Sequence, residues 1–216
     1  MRAFFEDAVN LEWLALQVGR MPDGVRQERQ IDWAQVSQDS FHPICIGQRF
    51  FMAPPWLHDP TPEGRFRLAI NPGMACGTGY HQCTQMCLEA MERYVKPGGS
   101  LLDVGTGTGI LSLAGSLLGI SFVLSCDVDA EAVVIARKLV HNPVFVGSAD
   151  AVRSGSFDLI VANISAAVVD ALAGEFQRIL KPGGRLILSG FTVYDHLEST
   201  TPVEVLSKDD WLCFVV

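Results

Sequence analysis

Residues 101–109, LLDVGTGTG, constrain this chain more than any other stretch. An apolar run ends in an acid, Asp103, and passes through three alternating glycines, Gly105, Gly107 and Gly109, before an apolar helical pattern opens at Ile110. A tight strand-to-helix turn needs backbone angles that glycine adopts freely, and a ligand can approach a backbone closely only where no side chain stands in the way. A dinucleotide-binding turn carries its third glycine one residue later, where this chain has Ile110. The spacing therefore favours S-adenosylmethionine over a nicotinamide dinucleotide.

The rest of the chain repeats the theme. From residue 100 onward, strand patterns at 100–104, 122–126, 143–146, 157–162 and 185–189 alternate with helix patterns at 110–118, 130–140 and 166–180. Such alternation builds a parallel sheet covered on both faces, and strands buried that way read as short apolar runs. The third helix places Val168, Leu172, Phe176 and Ile179 on one face. LysProGlyGly closes a segment at Lys96 and again at Lys181, where lysine suits a helix C-terminus and proline and glycine end it. Residues 202–206 and 211–216 read as two more strands joined by SerLysAspAsp. The expected fold class is α/β, and the seven strands match a doubly wound, Rossmann-like, seven-stranded methyltransferase sheet, mostly parallel with an antiparallel C-terminal strand. Residues 1–19 read as helical and 20–70 lack clear periodicity, so 1–70 reads as a helical or irregular cap or lid and 71–216 as the S-adenosylmethionine-binding catalytic domain.

A chain of 216 residues with 49% hydrophobic and 19% charged residues reads as a folded globular protein. Its formal charge of -8 argues against a protein that grips nucleic-acid backbones, since those gain affinity from Lys and Arg. A basic protein partner fits better. The N-terminus mixes acids with apolar residues and lacks the pattern of a signal peptide, and no run of 18 uncharged apolar residues occurs, so the expectation is a cytoplasmic protein without membrane contact. The six cysteines form neither a CxxC pair nor a Cys/His cluster at zinc spacing, which points to reduced thiols and no metal.

Candidate chemistry lies at the strand ends. Asp127 stands 22 residues beyond Gly105, at the tip of the second strand, where a carboxylate can accept both hydroxyl hydrogens of a ribose. Asp129 suits the N-cap of the next helix. Asp150, after the third strand, could accept from an adenine amino group or stand in an exposed loop. Asn163 ends the fourth strand, at the edge where open parallel sheets place their ligands, and its amide could orient an amine nucleophile or the methionine end of the cofactor. It could also serve as a turn or cap residue, a role open to Ser165 as well. Residues 71–84, NPGMACGTGYHQCT, form a second glycine-rich loop running into a helix with Thr84, Leu88, Met91 and Val95 at helical spacing. His81 at that helix start suits either a general base or a packing residue. Phe50, Phe51 and Trp56 are apolar candidates for desolvating an acceptor amine.

Together these motifs resemble the ribosomal protein L11 methyltransferase family, from about residue 31 to the C-terminus. The resemblance rests on PheHisPro at 41–43, GlyGlnArgPhePheMetAlaProProTrp from 47, the 71–84 loop, ValAlaAsnIle at 161–164 and AspAspTrpLeuCys at 209–213. It implies methyl transfer from S-adenosylmethionine to lysine or N-terminal amino groups of a protein, with a basic ribosomal protein as the candidate substrate. It places cofactor contacts on Thr84, Gly105, Asp127 and Asn163, to which the motif reading adds Asp103, Gly107, Gly109 and Asp150. Asn163 is the residue on which catalysis is expected to depend. The family's loop has an aromatic residue where this chain has Cys76, and ThrHisProThrThr where it has TyrHisGlnCysThr. Only about 30 residues precede the matching stretch, so the implied protein is a catalytic domain without the family's N-terminal recognition domain. The competing expectations are a small-molecule methyltransferase and an inactive cofactor-binding regulator.

Overall fold

Strand β4 (Ser100–Val104), all five of its residues buried, stands near the middle of a seven-stranded sheet in this computed structural model, which describes residues 10–21, 41–71 and 79–216. The chain divides into two compact units, residues 1–40 and 41–216. The described part of the first is helix α1 (Leu11–Val18), capped by the Asn10 side chain at its start and closed by Gly19 in the left-handed conformation.

In the second unit the first three strands form a small sheet of their own: β1 (Ile44–Ile46), β2 (Phe50–Ala53) and β3 (Phe66–Ala69), with β2 antiparallel to β1 and parallel to β3. The sequence reading of residues 20–70 as irregular thus gives way, over 41–71, to a sheet whose inward residues Ile46, Phe50, Met52 and Leu68 are buried in the main core. Strands of three or four residues are too short to show alternation. The Glu92 carboxylate, on the helix that follows, accepts from the Gln48 and Arg49 amides at 2.8 Å each and ties the β1–β2 turn down.

The remaining elements follow the expected alternation: α2 (Gln82–Tyr94), β4, α3 (Ile110–Leu117), β5 (Phe122–Asp127), α4 (Ala130–Leu139), β6 (Val144–Val146), a 3-10 turn (Ala149–Ala151), β7 (Phe157–Asn163), α5 (Ala166–Ile179), β8 (Leu180–Thr192), β9 (Glu204–Lys208) and β10 (Trp211–Val215). Their order across the sheet is β6-β5-β4-β7-β8-β10-β9, with β10 antiparallel to both of its neighbours and the other described pairings parallel.

Successive residues of a strand point to opposite faces, so each central strand feeds two cores. Leu101, Leu159, Val161 and Ile187 pack with α2, α3 and the small sheet, while Leu102, Ile160, Ala162 and Leu188 pack with α5. On α5 the inward stripe is Ala166, Val169, Phe176 and Ile179, with Leu172 packed beside it. Val168, read as inward from sequence, is exposed, because the helix turns Val169, three residues before Leu172, toward the sheet and leaves the residue four before it outside. Fully buried Phe176 contributes about 1.5–3 kcal/mol by leaving water.

Strand β8 also differs from expectation. Leu180 pairs with Phe157, the chain bulges out at residues 181–184, and pairing resumes at Arg185 with Leu159. LysProGlyGly is therefore an excursion within a strand and not only a helix stop.

Candidate functional site

Strand order reverses at β4: β5 and β6 run off on one side, β7 and β8 on the other. The connections leaving the carboxyl ends of β4 and β7 diverge to opposite faces, which opens a crevice between them. The glycine turn follows β4 on one side of that crevice, Asn163 ends β7 on the other, and Asp127 ends neighbouring β5. Thr84, in the first turn of α2, completes the group: the Asn163 amide donates to its hydroxyl at 3.2 Å. Two residues 79 positions apart in sequence thus meet at the switch point.

The turn is built as its glycines require. Gly105, Gly107 and Gly109 all have positive φ, 72°, 55° and 87°. At Gly105 a Cβ would also come within 2.5 Å of the Ile164 methyl, so both backbone conformation and space call for glycine. The Gly105 and Thr106 amides both donate to the Cys126 carbonyl, at 2.9 and 3.0 Å, which lays the turn over the end of β5. Gly109 caps α3, and a Cβ there would press on Ala136 of α4 and on Val140, which caps that helix's end. Its role is helix packing.

Asp127 is half-buried and faces the same turn. Its Oδ2 accepts from the Gly107 amide at 2.9 Å and its Oδ1 from the Asp129 amide at 3.0 Å, while Asp129 in turn caps α4 through Glu131. Asp129 is thus a cap, as its position before the helix predicts. Ser165 holds the N-cap position of α5, but its hydroxyl makes no capping bond there. Asp150 lies exposed on the 3-10 turn after β6.

Asp103 has a different place from the crevice position that the motif suggests. It is wholly buried beneath the turn, where Oδ2 accepts from Thr106 Oγ1 (2.6 Å), Ser112 N (3.1 Å) and Ser112 Oγ (2.7 Å). The chain of bonds continues from Ser112 Oγ to Ser125 Oγ (2.5 Å), which accepts from Asn142 Nδ2 (2.8 Å). Burial pushes the Asp103 carboxyl up to about 6, and the bonds from Thr106 and Ser112 oppose that rise. The residue braces the glycine turn from below.

His81 is the N-cap of α2: its Nδ1 accepts from the Cys83 amide at 3.3 Å, and its ring meets Trp211 edge-on at 4.5 Å. Of the two sequence readings this is the packing one. Phe50 and Phe51, read as lid residues, are core: Phe50 is fully buried and lies 6.4 Å from Phe66, and Phe51 is covered by the Arg67 guanidinium. Of the six cysteines, Cys45, Cys83, Cys87, Cys126 and Cys213 are free thiols, all but Cys45 buried. Cys76 and the rest of 72–78, which include most of the second glycine-rich loop, lie outside the described residues.

Comparison with known proteins bears on the same geometry. The family model for ribosomal protein L11 methyltransferase (PrmA) matches residues 6–216. Proteins named ribosomal protein L11 methyltransferase from Burkholderia lata and Burkholderia vietnamiensis are each 40% identical over 169 residues, 77% of this chain and 56% of theirs. The chain thus spans little more than half the length of these relatives. A crystal structure described as a ribosomal protein L11 methylase from Lactobacillus delbrueckii subsp. bulgaricus superposes with a TM-score of 0.72 at 28% identity, covering 81% of this chain and 97% of that one.

Proposed function

This chain belongs to the ribosomal protein L11 methyltransferase family, and from that premise we propose that it transfers methyl groups from S-adenosylmethionine to amino groups of a basic protein, ribosomal protein L11 foremost. The observation that carries the proposal is the Thr84–Asn163 bond at the end of β7, beside the switch point that the glycine turn and Asp127 border on its other side. The residues present fit the methyl donor. Gly105 and Gly107, both at positive φ, carry the backbone round the end of β4 with no side chain of their own, and Asp127 presents acceptor oxygens at the strand tip, the place where open parallel sheets accept a ribose diol. Gly105, Gly107, Asp127, Thr84 and Asn163 are the proposed cofactor contacts, with Asp150 at the adenine end and Asp103 and Gly109 acting through the shape of the turn.

When bound, S-adenosylmethionine supplies an electrophilic methyl group on sulfur. The protein's task is alignment, and holding donor and acceptor in line supplies about 7–11 kcal/mol of a barrier of this kind. Asn163, its Nδ2 already committed to Thr84, keeps its amide oxygen as an acceptor for an amine N–H. In that role it holds the incoming nitrogen with its lone pair toward the methyl. The net charge of -8 favours encounter with a cationic protein.

Two measurements test this. Calorimetry detects binding of S-adenosylhomocysteine, and labelled S-adenosylmethionine transfers label to purified ribosomal protein L11. Absence of binding by folded protein overturns the cofactor assignment, and label found only in small molecules overturns the acceptor class. Asn163→Ala is expected to lower turnover by about 100-fold while changing cofactor affinity less than about fivefold. Equal losses in both would remove Asn163 from the orienting role.

A further inference from the structure

Helix α2 carries Thr84 in its first turn, and its outer face is fastened along its whole length to the C-terminal hairpin. At the site end, Gln82 Nε2 donates to Asp209 Oδ2 at 3.0 Å, and His81, the helix cap, packs edge-on against Trp211. One turn on, the Lys208 ammonium donates to Gln85 Oε1 at 3.1 Å and to Glu89 Oε1 at 2.7 Å. At the far end, Arg93 and the Tyr94 hydroxyl both bond the Glu204 carboxylate. Residues 82, 85, 89 and 93 are spaced as one face of a helix, and their partners run 209, 208 and 204 back along the hairpin.

The hairpin is anchored in its turn. Trp211 pairs with Thr192 at the end of β8 and with Lys208 on β9, and Asp209 takes a positive φ of 50° that shapes the turn between them. Ser189, three residues before Thr192 on β8, pairs with Asn163 on β7. The hairpin tip is therefore indexed to the same strand ends as Asn163, and through His81 and Gln82 it also sets where α2 begins.

Resting on the methyl-transfer reading above, we propose that Trp211 and Asp209 are positioning residues for that reaction: they hold the first turn of α2 so that Thr84 keeps the Asn163 amide aimed at the acceptor. Their contacts with the start of α2 run through His81 and Gln82. The far end of the same rail, at Glu204, serves stability alone.

The test compares Trp211→Ala, Trp211→Phe, Asp209→Gly and Glu204→Gln in the full chain. It measures S-adenosylhomocysteine affinity, kcat and KM with purified ribosomal protein L11, and the side-chain amide NMR signals of Asn163, assigned by their loss in Asn163→Ala. Trp211→Ala is expected to lower kcat by about tenfold or more and to shift the Asn163 amide signals, with S-adenosylhomocysteine affinity held within about threefold. Trp211→Phe, which keeps an aromatic edge for His81, restores most of kcat. Asp209→Gly suits the positive φ and removes only the Gln82 bond, so it folds and gives a smaller loss of kcat with the same sign. Glu204→Gln lowers thermal stability and leaves kcat and the Asn163 signals unchanged. Unshifted Asn163 signals in both Trp211→Ala and Asp209→Gly, or an equal kcat loss in Glu204→Gln, would overturn the assignment. Should the parent protein bind no S-adenosylhomocysteine, the methyl-transfer reading fails, and the Asn163 signals still decide whether the hairpin controls that side chain.

Discussion

A carboxylate without solvent contact is costly, and Asp103 shows how far hydroxyl donors offset that cost. Three bonds to Oδ2 favour its charged form, yet burial outweighs them, and Oδ1 has no hydrogen-bond partner among the described residues. The carboxyl rises from its ordinary 3.8 to about 6 in the fold, so between those values the folded state holds a proton that the unfolded state has released. Stability from this group is thus full below about 3.8 and lost as pH rises through about 6. The loss amounts to about 3 kcal/mol. Asp103→Asn keeps the shape without the titration. The unfolding free energy of the parent minus that of the variant, from urea titrations at several pH values, is therefore expected to fall by about 2–3 kcal/mol between pH 4 and pH 7. Parallel pH curves would refute this.

Among elements, the most instructive is β8, whose excursion at residues 181–184 is clamped by a three-part latch. Lys181 Nζ donates to Asp158 Oδ2 at 2.7 Å and to Ser100 Oγ at 3.1 Å, and the Ser100 amide and hydroxyl also donate to that Asp158 oxygen, at 2.9 and 2.7 Å. The latch joins the starts of β4, β7 and β8. Lys181, then Ser100, hold the Asp158 carboxyl down at about 2. Here the sign is opposite to that at Asp103: the contribution is present above the ordinary carboxylate value and lost as pH falls through about 2. Side-chain exposures of 40% and 32% let water screen the pair, so Lys181→Met is expected to cost only about 0.5–1 kcal/mol at neutral pH. That difference should shrink with added salt and as pH drops below 4. A salt-independent loss would mean that packing of the lysine stem, not the ion pair, is what the variant removes.

At the scale of the whole second unit, the small sheet and the large one share a single core. Phe50, Met52 and Leu68 pack with Met86, Leu88 and Met91 of α2 and with Leu101 of β4. Phe50→Ala is therefore expected to lower the stability of the entire unit by about 3–5 kcal/mol, in one cooperative transition. A lid residue would behave otherwise: its loss would change acceptor turnover and leave the unfolding midpoint in place. Differential denaturation followed by fluorescence and by far-UV dichroism separates the two outcomes.

Periodicity and glycine spacing sufficed for the large sheet, its helices, the cap at Asp129 and the strand-tip placement of Asp127 and Asn163, because each is dictated by residues within a few positions of one another. What needed the tertiary structure was every relation across long stretches of chain. These include Thr84 against Asn163, the hairpin along α2, Asp103 beneath its turn and Phe50 in the core. Burial and partnership depend on which elements meet, and strands of three or four residues, or a lone threonine in a helix, carry no local pattern that encodes their neighbours. Local chemistry thus determined where the crevice lies, and packing decided which side chains face it.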